Sequence, residues 1–457
     1  MNKGKLLQST IVAALAGFIF GFDMVVISGA DKPIEKLWGV SAENPGGFTS
    51  AQHGFFIMSM ALWGTVIGSV FAGAPTEKYG RKKVLIWLGI MFILSAIGSA
   101  LANDPYTFSI FRLIGGIAIG VSSVAAPTYI SEISNKNNRG KLVGMYQFNI
   151  VFGILIAYLS NYLLKGVGGE NDWRYMLAVL LIPSVLYTLL STLIPESPRW
   201  LLTTKNDEAA SRKTLAIIGV ENIDETIEEI KTAAAEEKKF GAAKLFIAKH
   251  AKIISLAIFV AFFNQASGIN FILYYAPRIL EKAGFATQQS LLSSISIGLM
   301  NLIFTFVGLW LIDRIGRKTL LIIGSFGYII SLSMVAVSFY IGASQLFLLT
   351  FLLLFIASHA IGQGAVIWVL ISEIFPNNVR SKGQALGSAT HWIFAALITL
   401  VAPIFINDKN DGIFNSNPWP IFAFFAVMMA LQLVWILTKV PETKGVSLEE
   451  LQKKLVQ

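Results

Sequence analysis

Two residues of opposite charge lie inside apolar segments that are each long enough to cross a membrane. Asp23 falls in IVAALAGFIFGFDMVVISGA, and Arg112 begins RLIGGIAIG in a second segment. Both residues lie roughly 9 Å below the same membrane face. An unpaired charge inside the membrane costs at least about 2.5–3.5 kcal/mol. We therefore expect them to pair. A carboxylate beside an arginine stays ionised and takes up a proton when it loses that neighbour in a dry site; the alternative is a static salt bridge.

The composition is that of an integral membrane protein. Of 457 residues, 54% are hydrophobic and 14% are charged, whereas about a quarter of a soluble domain is charged. The chain has no cysteine, and its four histidines are scattered, so we expect neither disulfides nor a metal site. No cofactor is predicted.

Twelve apolar segments of about 20 residues are each able to cross a ~30 Å hydrocarbon core as a helix. Asp23 and Arg112 are the only charged residues inside them, and the first is expected to be an uncleaved span rather than a signal peptide. The predicted spans are 9–29, 54–73, 84–102, 106–131, 143–164, 175–194, 252–275, 291–311, 319–341, 346–371, 384–406 and 419–438.

The positive charge is distributed as a topology signal. Most of the 36 Lys and Arg residues fall in the loops on the side of the two termini, which predicts that the termini are cytoplasmic. The net charge of +9 therefore indicates a lipid bilayer as the partner and not nucleic acid. The location predicted is the plasma membrane, or the inner membrane of a bacterium.

Three loop motifs occur twice, in the same order. EKYGRKK at 77–83 returns as DRIGRKT at 313–319, and SEISNKNNRGK at 131–141 returns as SEIFPNNVRSKG at 372–383. PESPR at 195–199 returns more loosely as PETKG at 441–445. The repeat predicts an all-α membrane fold of two pseudo-symmetric six-helix bundles. The predicted units are 1–194, a cytoplasmic linker with short helices at 195–251, a second bundle at 252–440, and a tail at 441–457.

The repeated loops also place acids beside arginines at the ends of neighbouring spans. Glu77 and Asp313 are expected to pair with arginines at the ends of neighbouring spans, such as Arg139 and Arg380. Glu132 and Glu373 could pair with arginines there in the same way. Such pairs would form a cytoplasmic latch, closed when the central site faces outward. Its predicted members are Glu77, Arg81, Glu132, Arg139, Asp313, Arg317, Glu373 and Arg380.

Together these motifs resemble the sugar porters of the major facilitator superfamily along essentially the whole chain. The resemblance rests on the GRKK and GRKT loops, RLIGGIAIG, PESPRWLL, SGIN, SEIFP and PETKG. It implies transport of a monosaccharide by alternating access, without covalent chemistry. It also implies that Asp23 supports proton symport, since facilitators of the family tend to carry Asn. The family's sugar contacts match Gln147, Gln265, Asn270, Asn301, Trp368 and Trp392.

The residue types at these positions suit a sugar. Amides donate and accept hydrogen bonds as hydroxyls do, and an indole can cover the apolar face of a pyranose. The alternative is that buried amides fasten helices together and that Trp marks the membrane interface. The sequence departs from the family at Asn264, Ala365 and His391, which leaves the sugar and the bending of the tenth span open. His391 is expected either to bind a hydroxyl or to join two helices.

The function expected is import of a hexose or pentose together with a proton, by a protein that works as a monomer. The alternatives are a facilitative sugar or polyol uniporter and a sugar receptor of the same fold that does not transport. An enzyme is not expected. GGIAIG at 115–120 resembles a glycine-rich nucleotide loop, but inside a span its small residues favour close helix packing.

Overall fold

Helices form nearly all the regular structure of the computed structural model, which describes residues 3–41, 44–135, 138–240, 244–376, 378–406, 417–446 and 455. Within these ranges the only isolated β-bridge joins Gly39 to Phe48. The predicted all-α fold is therefore confirmed.

The predicted twelve spans are also present. In the described part of the chain, eleven helical segments are long and apolar enough to cross a membrane. Two further helices, Ser50–Met58 and Met60–Phe71, meet at a bend of 44° and together make a twelfth span. In chain order the spans are Lys3–Trp38, Ser50–Met58 with Met60–Phe71, Arg81–Leu101, Pro105–Ile133, Arg139–Leu164, Asp172–Ala178 with Leu181–Leu193, Ala251–Ala266 with Ile269–Lys282, Thr287–Ile315, Arg317–Ile341, Gln345–Ile374, Arg380–Ile406 and Trp419–Lys439.

The first and seventh spans extend well beyond their predicted ends. The sequence prediction stopped at residues 29 and 275, because the charged residues that follow lower the local hydropathy. The helices continue to Trp38 and Lys282. The expectation that Asp23 and Arg112 are the only charges inside the spans is therefore wrong, since Asp31 and Arg278 are also buried there.

The polar segment between the halves forms short helices, as predicted. They are Pro198–Thr203, Glu208–Ile218 and Ile223–Phe240. Ser197 and Asp207 cap the first two helices through their side-chain oxygens, which satisfies otherwise unpaired N–H groups.

The two halves pack against each other through repeat-related spans. The fifth span packs against the eighth, and the second packs against the eleventh. Because the second and eighth spans are equivalent in the repeat, as are the fifth and eleventh, these two contacts are pseudo-symmetric. The first span also packs against Ile269–Lys282, the second helix of the seventh span.

Three spans contain an irregular segment. The second begins with a π-helix, His53–Met58, and the tenth contains another, Ala360–Gly364. The tenth span is thus irregular immediately before Ala365, without the family's proline. In the seventh, Gly268 has a φ of +83°, a value that only glycine adopts readily.

The glycine-rich segment of the fourth span packs as predicted. A Cβ placed on Gly116 would lie 1.9 Å from the Ala61 carbonyl oxygen of the second span. The small residues therefore bring the two helices together.

Gly268→Ala tests whether the break in the seventh span depends on both conformation and space. The left-handed conformation costs alanine about 1–2 kcal/mol, and the new Cβ would lie 2.5 Å from the Phe425 ring. Gly342→Ala is the matched control, since Gly342 has a φ of +64° and open space around it. We expect Gly268→Ala to lower the thermal unfolding temperature in detergent clearly more than the control does. Equal losses would show that the Phe425 contact is unimportant.

Candidate functional site

Asp23 and Arg112 form a buried ion pair between the first and fourth spans. Arg112 Nη1 lies 2.5 Å from Asp23 Oδ1, and Nη2 donates to the Asp23 carbonyl oxygen at 3.1 Å. The side chains are 2% and 1% exposed. Asp23 Oδ2 has no hydrogen-bond partner among the described residues, so a proton there would displace no existing hydrogen bond.

A tyrosine from the other half lies near this pair. The Tyr274 hydroxyl is buried without a hydrogen-bond partner among the described residues, and it is close enough to interact electrostatically with Asp23 and Arg112. Sequence reasoning missed it, although Tyr274 follows Asn270 by four residues and therefore lies on the same face of the seventh span.

Five of the predicted sugar-binding residues form one cluster. Gln265 Nε2 lies 3.1 Å from His391 Nε2, and Asn270 donates to Gln265 Oε1 at 2.9 Å. The His391 ring lies 4.9 Å from the Trp368 ring and 4.7 Å from the Trp392 ring, measured between centroids. Amides and indoles from the seventh, tenth and eleventh spans are thus brought together.

The other two predicted residues do not join this cluster by hydrogen bonds. Gln147 is half-buried in the fifth span, and Asn301 is buried in the eighth. Among the described residues neither side chain has a hydrogen-bond partner.

A second group of charges, missed from the sequence, lies where the first and seventh spans meet, near the ends that face away from the two termini of the chain. We call it the distal cluster and define it by six residues. Asp31 lies 2.7 Å from His53 Nε2 and 3.0 Å from Arg278 Nε. Arg278 also pairs with Glu35, and Lys32 pairs with Glu281. The distal cluster comprises Asp31, Lys32, Glu35, His53, Arg278 and Glu281.

The loop motifs on the side of the termini pair differently from the latch predicted. Arg81 pairs with Glu132 at 2.7 Å, and Arg317 pairs with Glu373 at 2.8 Å. Each pair stays within one half. The short turn at each preceding glycine directs the arginine towards the adjacent span.

The other latch residues take separate positions. Asp313 pairs with Arg317 at 3.1 Å, while Arg380 Nε donates to the Phe375 carbonyl. The side chains of Glu77 and Arg139 are exposed. The expected pairing of Glu77 and Asp313 with Arg139 and Arg380 is therefore not found among the described residues.

The repeated PES and PET motifs supply a capping role that sequence reasoning missed. Glu196 accepts from the backbone N–H groups of Arg81 and Lys82 at 2.9 and 3.0 Å. Glu442 accepts from those of Arg317 and Lys318 at 3.0 Å each. Each carboxylate thus caps the N-terminus of an equivalent helix, the third span or the ninth.

Comparison with known proteins decides the family. The model of the family described as "Sugar (and other) transporter" matches residues 9–455. This chain belongs to that sugar transporter family. It is a multi-pass membrane transporter and not an enzyme.

Individual sugar transporters are similar along their whole length. The D-xylose-proton symporter of Escherichia coli (strain K12) is 33% identical over 478 residues, which cover 99% of this chain and 96% of the relative. The xylose transporter XylE from E. coli in a partially occluded inward-open conformation has a TM-score of 0.84 at 30% identity, covering 97% of this chain and 100% of that one. The proton:xylose symporter XylE bound to 6-bromo-6-deoxy-D-glucose, a major facilitator superfamily protein, has a TM-score of 0.81 at 32% identity, with both chains covered fully.

The two capping glutamates differ in their response to pH. Burial raises the pKa of Glu196, although N–H donors oppose the shift. Burial acts in the same direction at Glu442, but N–H donors outweigh it and lower that pKa. An acid with a lowered pKa stabilises the fold above its unfolded pKa and loses this effect as the pH falls, while a raised pKa gives the opposite trend.

Glu442→Gln and Glu196→Gln test this difference as a matched pair. At pH 7 we expect Glu442→Gln to cost about 1 kcal/mol, the usual magnitude for a cap, and the deficit should shrink as the pH falls towards 4. The deficit of Glu196→Gln should instead shrink as the pH rises from 4 to 7. Thermal unfolding in detergent across this pH range measures both, and identical pH trends would contradict the assignment.

Proposed function

We propose that this protein imports a monosaccharide, a hexose or a pentose, together with a proton by alternating access. The observation that carries the proposal is the buried Asp23–Arg112 pair, close to the helix that supplies Gln265 and Asn270 to the amide and indole cluster. The relative from Escherichia coli, named a D-xylose-proton symporter, supports the same conclusion. Both termini lie in the cytoplasm in this proposal, in agreement with the positive loops on their side.

The sugar binds at the cluster of Gln265, Asn270, His391, Trp368 and Trp392. Asn270 donates a hydrogen bond to Gln265, and a sugar hydroxyl can replace either amide as the partner because it both donates and accepts. The indoles cover the apolar face of the ring. Gln147 and Asn301 complete the site from the fifth and eighth spans, which pack against each other across the halves.

The proton binds at Asp23. Arg112 is the buried partner of this carboxylate. If their contact weakens in a site closed to water, an ionised Asp23 would be an unpaired buried charge, and uptake of a proton removes that charge. Both residues belong to the first half, so relative movement of the halves does not separate them directly. Tyr274 instead connects the ion pair to movement of the second half, because it belongs to that half and lies on the helix that holds Asn270.

The conformation is inward-facing in this account. The distal cluster ties the two halves together at the face away from the termini, whereas Arg81–Glu132 and Arg317–Glu373 each lie within one half. The likeness to an inward-open xylose transporter agrees with this assignment. A cytoplasmic latch between the halves would form in the outward-facing state.

One copy of the chain supplies every group in this account. The proton pair, the sugar cluster and the distal cluster all come from the same twelve spans. The protein is therefore proposed to work as a monomer.

Asp23→Asn tests the proton role. We expect uphill accumulation of sugar in proteoliposomes with an imposed proton gradient to fall to the level of simple equilibration, because the amide cannot carry the proton. Sugar binding should stay within about twofold of wild type, since Asn keeps the shape of the side chain. Accumulation by the variant at the wild-type level would remove Asp23 from the mechanism.

Gln265→Leu tests the sugar site. Loss of the amide should weaken sugar binding about tenfold or more, equivalent to about 1.4 kcal/mol, because sugar hydroxyls are left without a buried partner. Asn149→Leu is the control, since Asn149 is a half-buried amide that donates to Met145 within its own helix. Calorimetric titration with xylose and glucose gives both values, and equal effects of the two substitutions would argue against the site.

A further inference from the structure

The distal cluster joins the two halves through three ion pairs. Asp31 and Glu35 pair with Arg278, and Lys32 pairs with Glu281. In each of these three pairs, a residue of the first span has its partner on the seventh span. When the two halves separate on this face, all three pairs must break together.

His53 is placed differently from these partners. It lies in the π-helix of the second span, in the same half as Asp31, and its Nε2 is 2.7 Å from Asp31 Oδ1. A carboxylate only accepts hydrogen bonds, so Nε2 carries the hydrogen. The other ring nitrogen, Nδ1, is buried and has no partner among the described residues. In the closed state Arg278 balances Asp31, and a proton on Nδ1 would gain no partner.

Opening of the distal face leaves one carboxylate without a cation. Arg278 and Glu281 move away with the seventh span. Lys32 loses Glu281 and is three residues from Glu35, so these two can pair on one face of the first span. Asp31 keeps only His53, and a buried carboxylate without a cation is strongly unfavourable.

We propose that His53 takes up a proton as the distal face opens and so replaces Arg278 as the cation beside Asp31. The proton adds to Nδ1 of the neutral ring, giving an imidazolium that still donates to Asp31 through Nε2. Closure returns Arg278 to Asp31, and the proton on Nδ1 goes back to the water on the distal side, so His53 carries no net proton across the membrane. Histidine suits this role because it ordinarily changes charge between pH 5 and 8. This inference depends on the proposed function in one respect only, namely that the distal face is the one that opens to the outside.

The surroundings of His53 are consistent with this proposal. The titratable and charged groups facing the pair are Lys32 and Glu35 of the first span and Tyr275, Arg278 and Glu281 of the seventh. The fourth span contributes the Ser109 hydroxyl, which donates to the Phe56 carbonyl of the same π-helix. The eleventh span contributes the backbone of Leu400 beside Gly54. Lys32 also acts electrostatically on Asp31, but the first span contributes two acids, Asp31 and Glu35, to the distal cluster for this one lysine. Once Arg278 leaves, one carboxylate therefore lacks a cation, and His53 offsets that loss.

Distance measurements between spin labels test the proposal directly. The chain has no cysteine, so Val167→Cys and Gln288→Cys give two labels at exposed positions on the distal face, one in each half. In lipid nanodiscs we expect the population with a long distance to grow as the pH falls from 8 to 5.5. Uptake of one proton allows the ratio of open to closed states to change by up to about tenfold per pH unit.

His53→Gln is the decisive variant. Glutamine keeps an N–H donor for Asp31 but cannot be protonated, so the ratio of open to closed states should become independent of pH and stay low. Asp31→Asn, made as a second variant, removes the charge that needs a cation, so the ratio should also lose its pH dependence but favour the open state. Retention of the wild-type pH dependence in either variant would overturn the proposal.

Asp23→Asn separates this inference from the proposed function. It should keep the pH-dependent opening while losing uphill accumulation. If opening loses its pH dependence in Asp23→Asn and keeps it in His53→Gln, the proton belongs to Asp23 and the role of His53 is wrong. If sugar is not accumulated by wild type but opening still depends on His53, the proposed function fails and this inference stands.

Discussion

A charge inside a bilayer needs a partner, and this constraint organises the whole transporter. Asp23 meets Arg112 within the first half, whereas Asp31 and Glu35 meet Arg278 across the two halves. Pairs within one half hold it together, while pairs across the halves hold one conformation. The location of each pair therefore indicates whether it contributes to the rigidity of a bundle or to the choice between states.

The duplicated loops make the same stabilising contacts within each half. Gly80 and Gly316 allow the turns before the third and ninth spans, and Glu196 and Glu442 cap the helices that follow. Glu132 and Glu373 bind the arginines of the same turns. Since these contacts are repeated within each half, movement between the halves leaves them intact. The irregular segments at His53–Met58, Gly268 and Ala360–Gly364 lie in spans that contact the other half or contribute to the amide and indole cluster.

The sequence was sufficient to predict the features that depend on local hydropathy and on depth. Twelve apolar runs predicted the spans, and the matching depths of Asp23 and Arg112 predicted their contact. The distal cluster could not be predicted in this way. Asp31 and Arg278 lie beyond the points at which the local hydropathy falls, so in the sequence they resembled loop residues. Their contact depends on how two helices far apart in the sequence pack against each other, which hydropathy does not reveal. The partners of Arg81 and Arg317 were missed because the direction of a side chain at a tight turn cannot be deduced from residue spacing.

The sequence predicted which residue types form the amide and indole cluster, but it did not predict which of these side chains hydrogen-bond to one another. Gln265 contacts His391 at the position where the family carries asparagine, so the departure from the family's pattern lies inside the predicted site and not beside it. At this position His391 presents an imidazole where the family presents an amide.

In the proposed mechanism sugar and proton cross the membrane together. The most direct test is the movement of protons when sugar is added to wild-type proteoliposomes that contain a pH-sensitive dye and carry no imposed proton gradient. An inward sugar gradient should acidify the lumen, with about one proton entering for each sugar because a single carboxylate, Asp23, carries it. Sugar entry at the full rate without any change in the lumenal pH would contradict this mechanism.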